Sequence, residues 1–134
     1  MTPEGPLAIW IAYNAACNRG DHERAGQLIA ADLAVRVNGA VAIESAEQDR
    51  AIQAELTQCY PDYRRDFVAG VEHDDQATVE WIMRGTAAGD VALPDLLVVG
   101  CSMVRCRDGR IVEARLYHPT GVLDAVAAQA LVQR

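Results

Sequence analysis

The sequence contains no lysine: all 12 of its basic residues are arginine. That excludes Schiff-base chemistry, a lysine-anchored pyridoxal phosphate and a Walker lysine. Long hydrophobic runs are missing too. The longest apolar stretch, Leu96 to Val104, falls far short of the roughly 20 residues that a membrane-spanning helix needs. No charged segment followed by an apolar one opens the chain, so no secretory leader is expected and the protein is assigned to the cytoplasm. Positive charge is in deficit, with 19 acidic residues against 12 basic ones and a net charge of -7. Such a surface repels phosphate backbones and anionic lipid heads, so neither nucleic acid nor a membrane is an expected partner. No glycine-rich loop opens a helix after a strand and no His and carboxylate cluster has metal-ligand spacing, so no nucleotide, metal or other cofactor is implied. Internal repeats, linkers and low-complexity segments are absent. Cysteine is sparse: of Cys17, Cys59, Cys101 and Cys106, the last two alone are close in sequence. A separation of five puts them on opposite faces of a strand, against joint ligation. All four read as small, inert hydrophobes.

What is present is a chain of 134 residues, 51% of them hydrophobic, enough for one domain over 1–134 whose core needs no metal or disulfide. Abundant Ala and Arg without Lys point to GC-rich codons and a bacterial source. Apolar residues at Leu7, Trp10, Ile11, Ala15 and Cys17, with Gly20 beyond, predict a first helix over Pro6 to Arg19. Asp21 caps a second, His22 to Ala31, that buries Ala25, Leu28 and Ile29. Strands Leu33 to Val37 and Ala40 to Ile43 flank Asn38-Gly39, a hairpin pair that tolerates positive φ. Ser45 and Gln48 form a capping box for a third helix, whose stripe of Ala51, Ile52, Leu56 and Cys59 ends at Tyr60 before Pro61.

From Tyr63 the period becomes two. Phe67, Ala69 and Val71 alternate, His73 to Asp75 turns, and Ala77 to Arg84 returns. Leu96 to Cys106 and Arg110 to His118 pair across Arg107-Asp108-Gly109, and an Ala-rich helix is expected over Val122 to Gln133. Helices gathered before a run of antiparallel strands make the class α+β.

Four segments carry a resemblance: Asn18-Arg19-Gly20-Asp21, Tyr60-Pro61-Asp62, Trp81 to Thr86 (WIMRGT) and Arg107 to Glu113 (RDGRIVE). In this order, over nearly the whole chain, they resemble the SnoaL-like polyketide cyclase group of the nuclear transport factor 2-like superfamily. The resemblance implies a cone-shaped, curved antiparallel sheet closed by three N-terminal helices, a cystatin-like roll around a deep apolar pocket. It also implies a homodimer formed through the outer sheet face.

Period two indicates which side chains would line such a cone. Trp81 shares its face with Val79, Met83 and Gly85. On the last strand Val112, Ala114, Leu116 and His118 share the less charged face, opposite Ile111, Glu113, Arg115 and Tyr117. Val98, Gly100, Ser102 and Val104 share another inward face, on which Ser102 bears the hydroxyl. Tyr13 lies a turn beyond Trp10. The expected catalytic residues are therefore His118, Tyr13 and Ser102, with Trp10, Trp81, Met83, Leu116 and Val98 holding substrate. A neutral imidazole in an apolar pocket takes or gives a proton near neutral pH, and a buried phenol donates to a carbonyl or epoxide oxygen. Arg65 shares parity with Phe67, but a charge at the sheet rim is the plainer reading. His22 and His73 are expected in solvent.

The machinery of the related enzymes is largely absent. Of the tyrosine, carboxylate base and protonated carboxyl of the superfamily's ketosteroid isomerases, Tyr13 matches the first, while Val37 and Ser102 stand at the others. Trp81 and Leu116 stand where its epoxide hydrolases have carboxylates, and Ala87 follows Gly85-Thr86 where SnoaL-like cyclases commonly have histidine. The expected function is a cofactor-independent cyclisation or isomerisation of an apolar, oxygenated, polyketide-like metabolite, driven by substrate folding and His/Tyr acid-base chemistry. The alternatives are a non-catalytic binding or dimerisation module, an epoxide-opening variant, and protein interaction through the outer sheet.

Overall fold

Helix α1 (Pro6–Asn18) opens on a proline, whose missing N–H costs nothing in a first turn. The computed structural model describes residues 4–90 and 92–119; the expected helix from Val122 to Gln133 lies outside the described residues. One face of α1 buries Ile9, Trp10, Tyr13 and Ala16, spaced three and four apart, together with the polar Asn14. Gly20, at φ 74, turns the chain towards α2 (His22–Gln27), whose first turn is capped by the Asp21 carboxylate accepting from the Arg24 N–H.

This second helix is shorter than its sequence pattern predicts, and Leu28 and Ile29 are not on it. Strand β1 (Ile29–Val37) begins at once, because Ile29 pairs with Ile111 and the Leu28 carbonyl accepts the Ile111 N–H at 2.8 Å. Tertiary pairing overrides helix propensity there. Strand β2 (Ala40–Ile43) follows the expected turn, with Asn38 and Gly39 at φ 51 and 87. Helix α3 (Ala46–Cys59) is capped at Ser45, which accepts from the Gln48 N–H at 3.1 Å; Gln48 Oε1 in turn accepts from the Glu44 N–H.

Strands β3 (Arg64–His73), β4 (Gln76–Gly85), β5 (Leu96–Arg107) and β6 (Arg110–Tyr117) form a meander, and the six-stranded sheet runs β2-β1-β6-β5-β4-β3. It is curved and unclosed. Two expectations need correction. The sheet is mixed, since β1 lies parallel to β6; the chain between them passes through α3 and four strands, the long connection a parallel pair requires. Only α1 and α2 precede the first strand, and α3 follows the first hairpin.

Bulges correct the strict alternation of faces. Val68 is the extra residue between the pairs Phe67–Trp81 and Ala69–Glu80, so Gly70 turns inward and Val71 is 70% exposed. Val112 is extra between Arg105–Glu113 and Cys106–Ile111, which turns Ile111 inward beside Ala114 although its parity predicts the outer face. Each extra residue bends its strand. Close approaches on the concave side need glycine: a Cβ at Gly100 would stand 2.5 Å from the Trp81 ring, and one at Gly85 would stand 2.8 Å from Tyr60. The outer face exposes Leu97, Val99, Met103 and Tyr117. No helix among the described residues is long and apolar enough to cross a membrane.

Candidate active site

Between the concave sheet face and helices α1 and α3 lies a cavity of about 170 Å³. Its wall is mostly apolar, with Leu33, Val35, Leu56, Met83, Val104 and Ile111 contributing. Ala42 of β2 is the exposed lining residue and Gln53 and Ile52 of α3 are half-buried, which puts the mouth between β2 and α3. An apolar hole of roughly 150 Å³ holds one benzene ring, so the enclosed part suits a ring with its substituents, and a longer chain would extend through the mouth.

Besides Gln53 at the mouth, five polar side chains interrupt this wall: Tyr13, Asp49, Arg65, Ser102 and His118. Tyr13, from α1, donates its phenol proton to Asp49 Oδ2 at 2.5 Å. Burial, with the neighbouring Asp49 charge second, holds the Tyr13 phenol well above its ordinary pKa, so it stays protonated. Burial likewise raises the Asp49 carboxyl, against the opposing pull of the Tyr13 hydrogen bond and the Arg65 charge. The two form a hydrogen-bonded acid pair facing the mostly apolar cavity.

His118 follows directly on the end of β6 and is buried. Its Nδ1 lies 2.7 Å from the Pro119 carbonyl; a carbonyl only accepts, so Nδ1 carries the hydrogen and Nε2 is left as the acceptor. The Asn38 side chain fixes its backbone, donating to the His118 carbonyl at 2.9 Å and accepting its N–H at 3.1 Å. The hairpin turn thus also seats the imidazole. Ser102 Oγ accepts from Trp81 Nε1 at 2.8 Å, which leaves the serine hydrogen available to a ligand.

Of the residues that sequence reasoning placed at the site, Tyr13, Ser102, His118, Trp10, Met83 and Leu116 line the cavity. Trp81 and Val98 do not. Trp81 is fully buried behind the wall, its ring lying across Gly100 with its centre 6.2 Å from that of His118. Val98 is buried beside Met83 at the end of the sheet that Tyr60 fills against Gly85. Arg65 is not at the rim: it is buried and lines the cavity.

Asp49 was missed. The signal existed, since Asp49 stands three residues before Ile52 and seven before Leu56, on the buried stripe of α3. His22 and His73 are exposed. Burial raises the Cys17, Cys59 and Cys106 thiols, the last to about 11, which keeps them weak nucleophiles.

Comparison with known proteins agrees with this architecture. The family model described as a SnoaL-like domain matches residues 10–114. No curated protein matches the chain. Among solved structures, IdmH of Streptomyces antibioticus, described as a candidate polyketide cyclase, superposes with a TM-score of 0.78 at 21% identity, over 93% of this chain and 99% of its own. A protein of ketosteroid isomerase-like fold from Catenulispora acidiphila, in complex with trimethylamine, gives 0.72 at 22% identity, over 96% and 95%. A candidate polyketide cyclase of Sinorhizobium meliloti gives 0.65 at 18% identity, over 81% and 92%. Identities this low show a shared fold, whereas the family model covers most of the sequence: the chain belongs to the SnoaL-like domain family.

Proposed function

We propose that this protein is a cofactor-independent enzyme that cyclises or isomerises an apolar, oxygenated, polyketide-like metabolite, with the cavity as its active site. The observation that carries this reading is the Tyr13–Asp49 pair on the same apolar wall as His118 and Ser102. In a ring closure of aldol type, His118 Nε2 removes a proton from carbon next to a carbonyl, and the Ser102 hydroxyl donates to the resulting enolate oxygen. That carbon attacks a second carbonyl of the same molecule, forming the C–C bond and an alkoxide. The Tyr13 hydroxyl turns from Asp49 to the alkoxide, gives it the phenol proton and accepts one from the protonated form of Asp49, so the phenol never becomes an anion. The proton on His118 then returns to Asp49. Atoms balance without water or an oxidant, and the apolar wall contributes by holding the chain folded.

The first half of this sequence is testable without the natural substrate. In D2O the protein should accelerate deuterium uptake next to the carbonyl of 2-tetralone above the buffer rate, followed by NMR. Native mass spectrometry of freshly purified protein would reveal any retained molecule for the same assay. Binding with no acceleration for either compound would leave a non-catalytic binding module as the reading. The same proposal places a second copy of the chain on the outer sheet face, where Leu97, Val99, Met103 and Tyr117 are exposed. Sedimentation equilibrium should give twice the chain mass, and a monomer at micromolar concentration would refute the dimer.

A further inference from the structure

Arg65 is the one charged lining residue that the proton transfers above do not use. Its side chain is 6% exposed, and among the described residues no carboxylate lies within ion-pair distance of it. Asp49 on the same wall acts on it only at longer range, and a buried charge without a direct partner is costly, so its retention needs a compensating interaction. The chain holds it firmly. Nε donates to Asn14 Oδ1 at 2.8 Å, the Asn14 and Asn18 amides both donate to the Arg65 carbonyl at 2.8 Å, and the Arg65 N–H donates to Asn18 Oδ1 at 2.9 Å. The guanidinium carbon stands 4.9 Å from the Trp10 ring centre and 5.7 Å from that of Trp81. Backbone, Nε and both flanking rings are fixed, while neither Nη has a hydrogen-bond partner among the described residues.

We propose that Arg65 is a specificity-determining residue whose two Nη groups dock a planar oxyanion of the substrate, either a carboxylate or an enolised 1,3-dicarbonyl. A guanidinium fork matches such an oxygen pair in a way no neutral donor does. The ligand class is thereby narrowed from apolar oxygenated molecules in general to ring-forming compounds that bear one delocalised negative charge. This inference rests on the cavity being the substrate site.

Trp10 and Trp81, the only tryptophans of the chain, both flank Arg65, so intrinsic fluorescence reports on this spot. Cyclohexanecarboxylate and its neutral isostere cyclohexanecarboxamide, neither of which absorbs in the tryptophan band, are the probes. 2-Acetylcyclohexane-1,3-dione, anionic at neutral pH and with its acyl and ring oxygens held on the same side as a close pair, is titrated by calorimetry to separate the two oxyanion sources. At least one anion should bind about tenfold or more tighter than the amide. Arg65→Gln should abolish that preference while amide affinity stays within about threefold. Arg65→Lys, which keeps the charge and loses the fork, should retain the preference with weakened anion binding, and serves if Arg65→Gln does not fold. Equal binding of anions and amide by the native protein, a preference that survives Arg65→Gln, or Arg65→Lys binding indistinguishable from native would overturn the proposal. Should the amide bind without any anion preference, Arg65 docking falls and the cavity stands as a binding site. If none of the three binds, both fall.

Discussion

Asp49→Asn should lower turnover of the cyclised or isomerised substrate by about 10²–10⁴-fold, the usual contribution of a positioned acid or base, without unfolding the protein. Asparagine matches aspartate in size and its Oδ1 still accepts the Tyr13 phenol, so the hydrogen bond seen at 2.5 Å has a successor. What is lost is the proton that Asp49 passes through Tyr13 to the developing alkoxide. Stability should move the other way. Burial raises the native carboxyl pKa, so the folded state binds this proton more tightly than the unfolded chain. The associated stabilisation is complete below the ordinary carboxylate value and disappears as pH rises through the raised native one. Above that window, ionised Asp49 is a cost which the variant does not carry. Denaturant titrations should therefore show Asp49→Asn gaining on the native protein as pH increases and losing the advantage in acid. The rate profile has a matching sign: an acid that must be protonated sets an alkaline limb, and the limb should vanish in the variant. Unchanged turnover in Asp49→Asn would remove the pair from the mechanism and leave it a buried strut.

The contrast between Asp49 and its surroundings indicates what the sequence makes legible. Signals contained within a few residues were readable: Asn38-Gly39 at positive φ, the Ser45 cap, and the turn at Asp108-Gly109 each act on their own neighbours. Signals created by pairing between distant strands were not. Ile29 leaves its helix for Ile111, more than eighty residues away. Val68 and Val112 are unremarkable in sequence, and only the facing strand makes each an extra residue that reverses the faces on one side of it. The site divides along the same line. Tyr13, Ser102 and His118 reach the cavity because the helical stripe and the strand alternation are regular where they stand. Arg65 reads as a rim charge until Asn14 and Asn18, on another element, supply its partners. Asp49 went unread for a different reason: a stripe identified by apolar residues passes over the acid that shares it.

His118→Ala should likewise cost about 10²–10⁴-fold in turnover, and should stop deuterium uptake by 2-tetralone, which depends on the base alone. Loss of activity would not by itself identify a base, because the residue is also structural. Its ring packs near Trp81, and its backbone is tied to Asn38 on another hairpin. Two comparisons separate these roles. The backbone ties survive in the alanine variant, so residue 118 stays in place and the substitution opens a ring-sized space in the cavity wall. Added imidazole should enter that space and restore part of the exchange rate in proportion to its neutral form. His118→Gln refills much of the volume and can donate to the Pro119 carbonyl, but it has no basic nitrogen, so it should recover stability without recovering exchange. A rescue that tracks imidazole basicity would assign the proton transfer to Nε2, since Nδ1 is committed to the carbonyl. Full activity in His118→Gln would show instead that the wall needs only the bulk of this side chain, and would remove His118 as the base.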